Sequence, residues 1–325
     1  MAGEDDAKVL ALALDSLKDV PDVDTFIARC PGPPDLGDPP TILLYPRFKE
    51  DAPDISAFAE WLWINAINYA IPLRKRKLAQ QTAGAGPSGA DLASTARLYL
   101  EAKRAFLNFN KAYPSRASEV GELIAYLVAL RFLNAGQLAS KMALKTNTNM
   151  PIHGLDGVHA SFENGVMTLY FLESKLAKTA ASGAKEYAES VKGFGNSRKQ
   201  YLVEYEILSD LGNLQALSDE QKLLAMEYLD IYGKKKSQRI ERSIGVICFT
   251  EGNHYSNKLQ KNKATPPAAH EKNFSSIYEA DHARHLAAVK KYLDEKDVKS
   301  DECEVFFVAV PDVNVLRELF QEHMK

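Results

Sequence analysis

The stretch GLDGVHASFENGVMTLYFLESK, residues 154–175, holds an aspartate, a glutamate and a lysine whose spacing suits phosphate-ester chemistry. Asn164-Gly165 lies between two strand-like runs and predicts a two-residue type I′ turn, whose central positions both need positive φ. A loop that short fixes the register. Glu163 faces Val166, Phe162 faces Met167, and counting outward sets Asp156 opposite Glu173 and Gly154 opposite Lys175. Side chains alternate along a strand and directly paired residues share a face, so Asp156, Glu173 and Lys175 are expected together. The rest of that face is apolar (Val158, Ala160, Phe162, Met167, Leu169 and Phe171), which puts the charges at the open end of a core-facing surface.

Two carboxylates about 5 Å apart repel by roughly 3 kcal/mol at an effective dielectric near 20. A divalent cation removes that penalty. Hard ions such as Mg²⁺ take carboxylate oxygens and keep waters for a phosphate substrate, and Lys175 beside them can orient or polarise an attacking water. On this arrangement, deleting either carboxylate relieves repulsion and leaves metal-free stability level or higher. The plainer reading is a strand end where Lys175 neutralises Glu173, since a bare D…ExK match arises by chance. The hairpin register, the apolar face and a buried helix ahead of the hairpin favour the chemical reading.

That helix is SEVGELIAYLVALRFL, 118–133, apolar almost all round after Glu122 and so buried on several sides. Either acid near its start, Glu119 or Glu122, suits a helix N-terminus through the macrodipole, and periodicity does not choose between them. Strands are expected at 154–163, 166–175, 243–250 and 304–310, the last two apolar enough to be central strands covered on both faces. Alternation with helices gives an α/β class, a three-layer α/β/α core with a mixed sheet. Ahead of it, PGPPDLGDPP at 31–40 and TAGAGPSGA at 82–90 punctuate a strand at 41–48 and helices at 55–69 and 92–109. Residues 1–110 therefore read as a separate, mostly helical lobe suited to a partner, and 111–325 as the domain that carries the chemistry.

Net charge is −3 over 325 residues, so nucleic acid must be held by local basic patches or by a partner. The runs RKRK at 74–77 and KKKSQRIER at 234–242 are candidate phosphate contacts, but Lys178, Lys185, Lys192 and Arg198 lie nearer the hairpin. Cys30, Cys248 and Cys303 are too scattered for a zinc or disulfide framework. His282 and His285 read as a solvated helix face rather than a zinc pair, His153 flanks Asp156, and His159 alternates away from Asp156 into packing. An acidic start and no long apolar run point to the cytoplasm, with no membrane segment.

Taken together, Gly121-Glu122 on a helix, GLDGVHA, a hairpin, ESK and the closing VAVPDVNVLRELF resemble the PD-(D/E)XK nucleases and, within them, the HamA family of nuclease subunits from Hachiman antiphage defence. The likeness spans roughly residues 113–325. It implies a restriction-endonuclease-like core, Glu122, Asp156 and Glu173 as ligands of Mg²⁺ or Mn²⁺, and Lys175 as the fourth catalytic residue. It further implies DNA as substrate and a superfamily 2-type helicase, HamB-like, as partner in a heterodimer. The middle residue of the ExK motif is Ser174, which the pattern permits. Two other readings stay open: a catalytically silent nuclease-fold module that binds nucleic acid or gates a helicase, and an RNA-processing nuclease.

Overall fold

The computed structural model describes residues 2–18, 21–32, 38–82, 89–112, 119–140, 142, 156–196, 213–230, 232–260 and 265–325. The N-terminal part contributes α1 (Ala2–Asp15), β1 (Ile27–Arg29), β2 (Thr41–Pro46), α2 (Ile55–Ala70), α3 (Leu73–Thr82) and α4 (Gly89–Ala112). Then come α5 (Glu119–Phe132), β3 (Gly136–Ser140), β4 (Gly157–Glu163), β5 (Val166–Ala177), α6 (Ala180–Asn196) and α7 (Asp219–Leu229). The chain continues through β6 (Arg239–Thr250), α8 (Gly252–Ser256), α9 (Pro267–Glu279), α10 (His282–Glu295), β7 (Cys303–Val310) and α11 (Val313–Met324).

All seven strands form one mixed sheet in the order β1-β2-β7-β6-β5-β4-β3. β5, β6, β7 and β2 run parallel, while β4 and β3 on one side and β1 on the other are antiparallel to their neighbours. The apolar runs expected to be central are central. Along β6, Ile244, Val246 and Cys248 enter one core and Ile247 and Phe249 the other, and β7 divides in the same way into Phe306 and Val308 against Val305 and Phe307. Each such fully buried side chain stabilises the fold by about 1.5–3 kcal/mol. Helices α2, α4, α5 and α11 cover one face and α1, α6, α7, α9 and α10 the other, which makes three layers, α/β/α.

The expected boundary near residue 110 does not separate two cores. β2 pairs with β7 from Thr41↔Val305 to Leu44↔Val308, and α2 shares its buried surface with α5 and α11. The reason is in TILLYP: every residue of β2 is buried, so it needs cover on both faces and a hydrogen-bonding neighbour, and only the large sheet offers these. Two elements escape the sequence patterns. β3 is a five-residue edge strand with no alternation, buried throughout because α1 packs over its start, and β1 has three residues.

The hairpin turn is as expected, with Asn164 at φ 52° and Gly165 at φ 80°. So is its register, which runs from Glu163↔Val166 to Gly157↔Leu172. His159, on β4, packs near Tyr126 of α5, and its Nδ1 lies 3.0 Å from the Ala135 carbonyl, so Nδ1–H donates there. His285 corrects the expectation of a solvated face: it is buried against the rings of Phe307, Phe249 and Tyr278. Burial pushes both imidazoles down from 6.5 to about 4. Between those values these two residues bind more protons in the unfolded chain than in the folded one, so their contribution to stability is complete above about pH 6.5 and falls as pH drops toward 4. Urea unfolding at pH values stepped through this window should show the loss. His159→Gln should reduce the slope by about 1 kcal/mol per pH unit; an unchanged slope would show that the ring is not held neutral.

Candidate active site

β5 outruns β4. It stays paired with β6 as far as Ala177, whereas its ladder with β4 ends at Gly157↔Leu172. Beyond that point the β4-facing edge of β5 has backbone groups in need of partners. Asp156 supplies one. Its own N–H donates to the Leu172 carbonyl at 3.0 Å, and its carboxylate Oδ2 accepts from both the Ser174 amide (2.7 Å) and the Ser174 hydroxyl (2.6 Å). The aspartate is thereby fastened to the middle residue of Glu173-Ser174-Lys175.

This bond overturns the expected convergence of Asp156 with Glu173 and Lys175 on one face of the sheet. Even-numbered residues of β5 face α5: a Cβ on Gly121 would lie 3.0 Å from Leu176 and 3.4 Å from the Ser174 hydroxyl. Odd-numbered residues face α6, where Phe171 and Ala177 share a core with Tyr187. Glu173 and Lys175 share that second face, as expected, and form an ion pair at 2.5 Å with side chains 13% and 17% exposed. Asp156 leans the other way, toward Ser174 and α5. The physical reason is that the paired ladder stops one residue short of it, so strict alternation no longer governs its side chain. Gly154, the expected partner of Lys175, lies outside the described residues, as do His153 and Arg198.

Glu122 lies on α5, on the side toward which Asp156 leans. Both are buried, at 1% and 6% exposed, and Glu119 is buried in the same first turn of the helix. The N-terminal end of α5 carries a partial positive charge that favours carboxylates there. Gly121 lets this turn approach β5: its hydrogen takes a position where a methyl would press on Leu176. The link between the two acids is Tyr69, in the last turn of α2, whose hydroxyl lies 2.8 Å from Glu122 Oε2 and 3.3 Å from the Asp156 carbonyl. Burial, and then the charges of Glu122 and Asp156, push this phenol well above its ordinary value, so it remains a donor. Ser140 Oγ in turn donates to the Tyr69 carbonyl at 2.9 Å. Sequence reasoning missed Tyr69, because its α2 periodicity marks it only as a core residue.

The donor set is therefore all oxygen and largely withdrawn from water. Buried carboxylates are costly unless compensated, and this chemistry fits a hard divalent ion such as Mg²⁺ or Mn²⁺. Among the described residues, the one group of three His, Cys, Asp or Glu ligand atoms within 4.8 Å of one another lies elsewhere, at Glu251, His254 and Asp281. There Nε2 of His254 is 2.6 Å from Asp281 and Nδ1 is 3.8 Å from Glu251, while Arg284 also binds Asp281. Each ring nitrogen faces its own carboxylate and Arg284 also holds Asp281, so these groups are already partnered within the protein.

The basic runs are partly spent on structure. Arg76 is buried and donates to the Ile71 carbonyl and to Asn68, and Lys75 pairs with Glu101. In the second run Lys235 pairs with Glu227 and lies over the Tyr228 ring, and Arg239 binds Glu241 and two carbonyls at the end of α7. Lys178 and Lys185 are exposed beyond β5, whereas Lys192 pairs with Glu189.

Fold and site together define an α/β/α protein that gathers buried carboxylates where the hairpin of a mixed sheet comes apart. The HamA family model matches residues 27–324, and the chain belongs to that family, which gives it a role in Hachiman antiphage defence. Comparison with curated proteins gave no match. Among the described residues no helix is long and apolar enough to cross a membrane.

The Asp156–Ser174 contact reverses one expectation from the sequence. Asp156→Ala strands a buried amide and a buried hydroxyl, at about 1–3 kcal/mol each, and with Glu173 on the other face the repulsion it was expected to relieve is not there. Thermal melting of the metal-free protein should therefore show a lower midpoint for Asp156→Ala, with Asp156→Asn in between because it keeps an acceptor oxygen. A midpoint at or above wild type for Asp156→Ala would mean that the contact is not made in solution.

Proposed function

We propose that the chain is a metal-dependent deoxyribonuclease of the PD-(D/E)XK type that hydrolyses DNA phosphodiester bonds in antiphage defence. The observation that carries this reading is the pair of hydrogen bonds by which Ser174, inside the Glu173-Ser174-Lys175 motif, holds Asp156. The bare amide at the strand end needs only an acceptor, and a neutral side chain would serve; that the acceptor is an acid, beside the buried Glu122, is what favours chemistry over structure alone. Glu122 and Asp156, on the α5 side, are the first residues to hold Mg²⁺ or Mn²⁺, and Glu173 joins them only if its carboxylate leaves Lys175 and turns toward Asp156. A bound divalent ion supplies positive charge to the phosphate oxygens and acidifies a water. Asp156, fixed by Ser174, provides a carboxylate of set orientation. Lys175 carries an ammonium that donates to Glu173 here and can donate to water or phosphate once an ion claims that carboxylate.

DNA delivery falls to a partner on this reading. The net charge of −3 and the internal pairing of Lys75, Lys235 and Arg239 leave a thin electrostatic footing for duplex binding. A superfamily 2-type, HamB-like helicase in a heterodimer supplies it, with Lys178 and Lys185 as phosphate contacts beside the site. The second reading, a silent nuclease-fold module that gates a helicase, draws on the closed Glu173–Lys175 pair, which also suits a spent active site.

Cleavage assays on plasmid and linear DNA, with Mg²⁺ or Mn²⁺ and with the helicase and ATP, separate the two. Glu173→Ala and Lys175→Ala should each lower cleavage by at least roughly 10²-fold while leaving helicase binding intact, and EDTA should stop it. Cleavage by both variants at the wild-type rate, or cleavage indifferent to EDTA, would remove the proposed site.

A further inference from the structure

We infer that Tyr69 is a positioning residue of the metal site: its one hydroxyl hydrogen goes to the Glu122 carboxylate, with the Asp156 carbonyl as a longer second acceptor, and sets that carboxylate in the geometry that an ion must meet. The inference rests on the nuclease reading above and extends it to a residue of the N-terminal helices. Tyr69 is 2% exposed, and its hydroxyl lies 2.8 Å from Glu122 Oε2 and 3.3 Å from the Asp156 carbonyl. One phenol therefore touches both α5 and the residue at which β4 leaves β5. Its ring is packed between Phe106 of α4 and Tyr126 of α5, and Ser140 grips its carbonyl, so the hydroxyl has little room to swing.

A flexible glutamate in a cavity has several rotamers, and an ion that needs one of them binds more weakly for each alternative. Hydrogen bonds from an outer layer of residues remove the alternatives, and losing one such partner lowers metal affinity by about 10- to 100-fold. Asp156 has a support of this kind in Ser174. For Glu122 the support comes from Tyr69, and since α2 is held against α5 and α11, those helices fix the carboxylate through it.

Calorimetric titration with Mn²⁺ tests this without any turnover. Tyr69→Phe keeps the ring and deletes the hydroxyl, and should weaken Mn²⁺ binding by about 10-fold or more. Tyr278→Phe is the comparator: Tyr278 is equally buried and its hydroxyl donates to the Phe307 carbonyl at 3.1 Å on the other face of the sheet. It should lose stability to a similar degree and bind Mn²⁺ as wild type does. The split between the two variants is the readout that a merely structural hydroxyl would not produce. Wild-type affinity in Tyr69→Phe, with wild type and Tyr278→Phe both binding, overturns this inference alone. A wild-type protein that binds no Mn²⁺ overturns the nuclease reading with it.

Discussion

Strand β5 is hydrogen-bonded on one side for longer than on the other, and the site is built on that mismatch. Parallel pairing with β6 carries it to Ala177, but antiparallel pairing with β4 ends opposite Leu172. A buried amide left over at Ser174 needs an acceptor, since an unpaired one costs about 1–3 kcal/mol. The chain meets the need with a carboxylate rather than with another peptide group. That choice brings a charge into the interior, and the charge in turn calls for the hydroxyl of Ser174 and for the polar surroundings that α5 and α2 provide. The acidity of the site is thus coupled to the place where the sheet runs out of backbone partners.

Much of the fold was legible because the strongest patterns are the local ones. Asn164-Gly165 determines a turn and hence a register, and the turn and register found are those expected. SIGVICFT and EVFFVAV are continuous apolar runs, and they occupy the middle of the sheet. What failed was long-range. Nothing in TILLYP says that its neighbour is β7, and the proline- and glycine-rich segments around it look like a domain border whether or not the sheet crosses it. GQLAS is a strand only because α1 and β4 flank it, a tertiary cause with no local signature.

The site was half legible for a related reason. Pairing geometry correctly groups Glu173 with Lys175, because both lie within the regular strand. It misplaces the Asp156 carboxylate, because alternation describes paired residues and Asp156 is just past the last pair. Glu122 is nominated only through the family resemblance, and the two contacts that define its role, from Tyr69 and through it to Asp156, cross from one distant segment to another. A buried tyrosine on an apolar helix looks the same in sequence whether its hydroxyl serves a carbonyl, as Tyr278 does, or a carboxylate.

The pairing of β2 with β7 has a consequence for how the protein is made. β2 is synthesised early, and the strand that flanks it on the inner side of the sheet comes almost at the other end of the chain. Until β7 has emerged from the ribosome, β2 can pair only with the three-residue β1, and α2 lacks the cover of α11. The segment that bears Tyr69 can meet α5 earlier, but it gains its full cover only once β7 and α11 have been made. Assembly of the carboxylate site thus waits on β7 and α11, so a chain that has not yet reached them carries the acidic residues without the whole frame that orders them.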